Sequence, residues 1–292
     1  MAVRRINDGI RRLDWDEVKT ALLRDDDATP VEVCEASLDD WGRYVRSERQ
    51  ALKSRFMEWR DDRIWIVELP SSIHEKAVSR FDALMGAGTG NGLGTDLIRD
   101  LAAYAEDPPA GLAGERQWEA DCSYGPNDTV VGAVLPNGVN WDDFYTMKVE
   151  VGVSQGWDKL NAKAAIWREY PGMQYIVLIR LSQSRQVRQY RLEQRVNGQF
   201  PGNDVRIDIV NGTVLNFDAH LLLGLPGDAD LPHGFQDPVT VDLFDLYECT
   251  RPRTGPAPQN APAPQNAPAP QNAPAPPAVQ PNFQRRVRRR RT

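Results

Sequence analysis

Asp121, Glu150 and Lys163 are the residues in this chain whose types and order could do chemistry together. Asp121 lies in Glu119-Ala-Asp-Cys-Ser-Tyr124, which reads as a strand. Glu150 lies in a second strand, Lys148-Val-Glu-Val-Gly-Val-Ser154, and Lys163 falls on the helix that follows. Two carboxylates on neighbouring strands can converge on one divalent cation, and their oxygens suit Mg²⁺, with Mn²⁺ as a substitute. Such an ion can polarise a phosphodiester and lower the pKa of a bound water. A nearby lysine then steadies the developing negative charge. The bland reading is that these are solvated strand faces, since Asp, Glu and Lys are common. Lys159, one turn before Lys163, and Lys148, at i−2 to Glu150 on the same strand face, compete for the lysine role.

Other residues carry weaker signals. His74, His220 and His233 are isolated, and His74 reads as a structural residue at a helix start. Cys34, Cys122 and Cys249 are odd in number and form no C-x-x-C, so a reducing compartment is expected, with no disulfide framework and no structural zinc. Cys122 should point to the sheet face opposite Asp121. Gly86 to Gly94 is glycine-rich but lacks a following Lys-Ser/Thr and follows a helix, so it reads as a connector and not a phosphate loop. Arg180, Arg185, Arg188, Arg191 and Arg195 cluster around Tyr190. They are either a solvated strand face or a phosphate-contacting edge, with Arg185 and Arg188 the named contacts. Trp157 and Trp167 read as core, and Ser154 as a tie for the turn into the helix.

The elements that would position these groups follow from hydrophobic periodicity. Residues 1–60 read as a helical extension, with one helix from about Leu13, a break at Pro30 and another from Ser37 to Trp59. Arg63 to Leu69 reads as a strand ending at Pro70. Ser71 or Ser72 can cap a helix through Leu84, with Glu75 in its first turn. Thr95–Tyr104 reads as a short helix. Strands are expected at 117–124, 129–134, 144–153, 174–181, 186–196, 204–210 and 238–248, with a helix over 157–170. Asn137-Gly138 is a hairpin signal between the second and third of these strands. Gln174–Leu181 is nearly continuous in apolar residues, the mark of a strand buried on both faces. Strand, helix, buried strand implies a βαβ unit in a mixed sheet.

These stretches resemble the PD-(D/E)XK nuclease superfamily. The resemblance is to the restriction endonuclease-like family common in bacteria and to its fungal relatives of unknown function. It rests on the Asp121 strand, Val149-Glu-Val-Gly-Val-Ser-Gln155, Trp157-Asp-Lys-Leu-Asn-Ala-Lys163 and Gln174-Tyr-Ile-Val-Leu-Ile179, with Ile66-Val-Glu-Leu-Pro-Ser-Ser-Ile-His-Glu75 upstream. It covers residues 63–181 well and 182–248 loosely. It implies a restriction-endonuclease-like central mixed sheet flanked by helices, with Asp121 and Glu150 as metal ligands, Lys163 as the catalytic lysine and Glu75 as the helix-borne acid. Two positions depart from the family's pattern. Ala120 stands where the pattern has Pro, and Gly152 where it has Lys, so the lysine must come from the following helix. The function implied is a metal-dependent nuclease. The alternative is a catalytically inactive nuclease fold that binds or adapts through its tail.

The whole chain has 292 residues and a net charge of −6, but the average conceals a split. Residues 251–292 hold eight arginines and no acid, leaving 27 basic and 41 acidic residues in 1–250, a charge of −14 against +8. Residues 256–276 repeat Pro-Ala-Pro-Gln-Asn-Ala, so 251–281 reads as a disordered Pro-rich linker, of which 255–281 could span roughly 80 Å. Residues 282–292 form a basic end with Arg285, Arg286, Arg288, Arg289, Arg290 and Arg291. Such a tail suits a nuclear address or a nucleic-acid tether, DNA above all. No run is apolar enough to span a membrane and none reads as a secretory signal, so an intracellular protein of nucleus or cytoplasm is expected. Residues 61–250 read as the nuclease-like domain, and homo-oligomerisation stays open.

Overall fold

The computed structural model describes residues 2–24, 29–90, 92–100, 120–202 and 204–252. The Pro-rich linker from 253 and the six tail arginines therefore lie outside the described residues.

The protein is a mixed α/β structure. Its first part builds a small layered module from α1 (Ala2–Arg12), α2 (Trp15–Leu22), β1 (Val31–Glu35), α3 (Leu38–Val45), β2 (Met57–Arg60) and β3 (Arg63–Ile66). The three strands pair in the order β1-β3-β2, all antiparallel. Ile6, Ile10, Val18, Leu22, Trp41, Tyr44, Ile64 and Ile66 fill its core. The N-terminal extension is thus not purely helical. The helix expected to reach Trp59 ends at Val45, and a strand follows. The boundary expected at residue 60 falls inside the β2–β3 hairpin, so residues 63–66 belong to this module. Turn chemistry explains the miss, since Asp61 and Asp62 both take positive φ and reverse the chain.

The larger layer is a six-stranded mixed sheet in the order β4-β5-β6-β7-β8-β9. The strands are β4 (Leu97–Asp100), β5 (Cys122–Pro126), β6 (Met147–Gly152), β7 (Tyr175–Leu181), β8 (Arg188–Gln194) and β9 (Ile207–Asp208). β6 and β7 run parallel and the other neighbours antiparallel. The parallel pair is joined by α5 (Trp157–Arg168), the expected βαβ unit, and β7 is buried along its whole length. A third, two-stranded sheet pairs β10 (Val214–Phe217) with β11 (Val239–Asp242). Helices α4 (Ser72–Gly88), α6 (Ala219–Leu222) and α7 (Leu243–Cys249) complete the fold.

Period-2 alternation divides the sheet faces. Met147, Val149 and Val151 join Cys122, Tyr124, Val177 and Ile179 in one core with α4, α6 and α7 residues. Ile176 and Leu178 face Leu160, Ala164 and Trp167 of α5. Three other expectations need correction. Residues 97–100 form a strand and not a helix, while 101–104 lie outside the described residues. Residues 129–134 are turn and irregular structure, so Asn137-Gly138 makes a turn without a hairpin. Residues 243–249 are helical, because Asp242 accepts from the Asp245 N–H and caps a new helix after only four strand residues.

Candidate active site

β6 presents Lys148 and Glu150 to the α5 side, opposite the large core. On α5, Leu160, Lys163, Ala164 and Trp167 share the buried stripe, so the helical period that packs Leu160 and Trp167 also carries Lys163 inward. Lys163 Nζ donates to Glu150 Oε2 at 2.7 Å, and Trp167 Nε1 donates to Glu150 Oε1 at 2.7 Å. Glu150 has no exposed surface.

Asp121 sits in a bend just before β5, where register brings Cys122 opposite Val149. Its Oδ2 accepts the Val151 N–H at 2.7 Å, and its Oδ1 lies 2.9 Å from His74 Nε2. His74 is in the first turn of α4, which Ser71 caps by accepting from the Ile73 and His74 N–H groups. Glu68, in the segment between β3 and α4, is the fifth member. Its Oε1 accepts from Val153 N at 3.3 Å and its Oε2 from Gln155 Nε2 at 2.9 Å. Ser154 Oγ accepts from Leu69 N at 3.2 Å, so it ties the turn after β6 to the segment before α4 and not the turn to its own helix.

The five side chains Glu68, His74, Asp121, Glu150 and Lys163 form one electrostatic unit. Burial raises Glu150 to about 7, with the Asp121 charge adding to it and Lys163 only partly opposing. Burial also raises Glu68, against the pull of His74. Burial works against an ionised Asp121 too, but the His74 charge, its hydrogen bond and Lys163 outweigh it and hold the carboxyl at about 2. His74 loses charge preference by burial, yet Asp121, Glu68 and Glu75 push it up to about 9. Lys163 is likewise disfavoured by burial and held well above its ordinary value by Glu150, Asp121 and Glu68. Three acids therefore face two cations in a water-poor site, where perturbed titration is a mark of function or of a structural network.

The remaining candidates are placed elsewhere. Glu75 is half exposed and pairs with Arg55 at 2.6 Å, while its nearest approach to the cluster is 3.6 Å from His74 Nδ1. Lys159 pairs with Glu58 at 3.1 Å. Lys148 is fully buried and donates to Ser123 Oγ at 2.7 Å, with its ammonium 4.0 Å from the Tyr145 ring, 5.1 Å from Trp167 and 5.4 Å from Tyr170. Burial lowers it to about 7, although Glu150, Asp100 and Asp143 favour its charge. Arg185 and Arg188 stack on Tyr247 at 4.8 and 5.1 Å. Glu68, His74 and Trp167 were not legible as site residues. Glu68 did leave a trace, a lone acid within the apolar run Ile64–Leu69. His74 fell in the stretch that carries the resemblance but read as structural, because its partner lies 47 positions away.

Together these features define a mixed α/β protein whose six-stranded sheet, flanked by helices, carries a buried acid–histidine–lysine cluster. No protein-family model matches this chain, and no curated protein matches it. Among the described residues, no helix is long and apolar enough to cross a membrane.

Proposed function

We propose that the protein is a metal-dependent nuclease of restriction-endonuclease-like architecture, hydrolysing phosphodiester bonds of nucleic acid. The observation that carries this reading is the meeting of Lys163 Nζ with Glu150 Oε2 at 2.7 Å, with the Asp121 charge acting on both. An acid before one strand, an acid on the next and a lysine from the following helix act on one another electrostatically, which supports this reading.

Asp121 and Glu150 offer carboxylate oxygens, the donor type a hard divalent cation takes, although among the described residues no group of three or more His, Cys, Asp or Glu side chains is placed to hold a metal ion. Beside the cluster, the buried Gln155 Oε1 has no hydrogen-bond partner, so one acceptor there is left over. Asp121 and Glu150 would hold the ion, which supplies a polarised phosphoryl oxygen and a more acidic water when bound. Lys163 stays protonated and offers Nζ hydrogens to a developing negative charge. His74 fixes the Asp121 rotamer through Oδ1, and Trp167 excludes water while fixing Oε1.

Supercoiled plasmid incubated with the purified chain and Mg²⁺ or Mn²⁺ tests the proposal. Wild type should nick it, and Asp121→Asn and Glu150→Gln should be slower by about 100-fold or more. Equal nicking by all three proteins overturns it.

One observation favours a second reading. All four oxygens of Asp121 and Glu150 already accept from protein donors, and two internal cations offset their charge. The cluster would then be structural, and the chain a non-catalytic nucleic-acid binder or adaptor acting through its Pro-rich linker and arginine tail. Mg²⁺ that raises the melting temperature of wild type but not of Glu150→Gln speaks for the enzyme. Nucleic-acid binding lost on deleting 282–292, with no metal effect, speaks for the adaptor.

A further inference from the structure

Five cations from four parts of the chain gather around α7. Arg185, in the loop between β7 and β8, donates from Nη2 to the Tyr247 carbonyl and to Thr250 Oγ1, both at 3.3 Å. Its guanidinium lies over the Tyr247 ring, and so does that of Arg188 at the start of β8. Lys76 Nζ, in the first turns of α4, donates to the Arg251 carbonyl at 3.4 Å. Arg80 pairs with Asp245, and Arg251 with Glu248 at 2.5 Å, yet the two arginine side chains stay 39% and 56% exposed. Cys249 reports the same crowd. Burial raises its thiol, and Arg80, Lys76 and Arg185 all oppose that rise.

Asp242 at the cap of α7, and Asp245 and Glu248 on it, are the acids facing this group. Five cations against three carboxylates make a positive surface on a body that carries −14. Two stretches of chain lead from this surface to the candidate site. Lys76 is two residues from His74. Arg185 follows the end of β7 that runs parallel to the β6 end delivering Glu150, and Arg180 Nη1 ties the two ends by donating to the Val153 carbonyl at 2.8 Å.

We propose that this face, built from Lys76, Arg80, Arg185, Arg188, Arg251 and Tyr247, is a track for the phosphate backbone of a nucleic-acid duplex passing the candidate site. The choice of partner rests on the nuclease-type reading of that site. The cations are strung along four elements and not gathered into one pocket, which suits repeated phosphates more than a single one. Guanidinium planes laid on an aromatic ring are pre-oriented for bidentate phosphate contacts.

The test is the affinity of a fluorescently labelled duplex, read by anisotropy in EDTA over a salt series. The full chain is used, with its six tail arginines changed to Gln so that they contribute nothing. Lys76→Gln combined with Arg188→Gln should weaken binding by about tenfold or more and reduce the slope of log K against log salt by about 2, since each phosphate contact contributes roughly 0.9. Arg4→Gln combined with Arg11→Gln, on the exposed face of α1, should change neither. Equal affinity and slope for the Lys76/Arg188 variant and its parent overturn the proposal. So does loss of binding to vesicles of phosphatidylcholine and phosphatidylserine while duplex binding is unchanged. Because EDTA silences cleavage, a protein that fails to nick plasmid can still pass this test, and the two failures stay separate.

Discussion

At the residue scale, the controlling fact is that Asp121 and His74 hold each other charged in a site that favours neither ion. Burial alone would push the carboxyl up and the imidazole down. Their contact reverses both directions, so each is the cause of the other's titration. The imidazole should therefore titrate near 9 when followed by NMR. In Asp121→Asn the Glu68 and Glu75 carboxylates remain, but the closest partner is gone, and the titration should fall towards or below the ordinary value near 6.5. A histidine that titrates near 6.5 in wild type rules the pairing out. The sign for stability follows. A histidine raised in the folded state stabilises fully below its unfolded value and loses that contribution as pH rises through 9. Little of this was legible in the chain. Asp121, Glu150 and Lys163 stand out because their types alternate with strand and helix signals, whereas Glu68 and His74 become partners only through long-range contact.

At the element scale, α4 is the part that brings His74 to Asp121, and its end is as constrained as its start. Gly88 closes the helix against β11, where an added Cβ would come 2.5 Å from the Thr240 carbonyl oxygen and 3.1 Å from its nitrogen. Gly86, two residues earlier, would meet nothing nearer than Leu93 at 3.5 Å. The same substitution should thus have opposite signs at the two positions. Gly86→Ala should stabilise by about 0.5–1 kcal/mol through helix propensity. Gly88→Ala should destabilise by about 1–3 kcal/mol through overpacking against a backbone that cannot yield. Urea denaturation of the two variants checks this, and a matching pair of shifts would show that α4 does not pack on β11 as described. The glycine-rich stretch is therefore partly a packing device and not merely a connector. Composition could not show that, because the requirement comes from a strand some 150 positions on.

At the scale of the molecule, the N-terminal module and the large sheet are bound by buried polar contacts. Leu69 N–H reaches Ser154, Glu68 reaches Val153 and Gln155, and Lys159 reaches Glu58. Residues 2–251 accordingly cluster as one compact unit. A chain starting at residue 61 strips β3 of both its neighbours and exposes Ile64 and Ile66, which are fully buried. It should show no cooperative thermal transition by circular dichroism, while the full chain shows one. A cooperative transition in the shortened chain would mean that the larger layer folds without the module.

The sequence by itself determined the βαβ unit, the buried strand, the capped helix before the site and the order of acid, acid and lysine. These are local in origin, set by side-chain periodicity, caps and residue type within a few turns of chain. It also determined the charge split between an acidic body and a basic tail, which is simple counting. Only the tertiary structure decided that Glu68 and His74 complete the cluster, that Glu75 faces Arg55, that Lys163 and not Lys159 meets Glu150, and that residues 63–66 belong to the first sheet. Each depends on which distant surfaces meet. Once those surfaces exclude water, burial costs charge so much that every ion must find its partner across the fold.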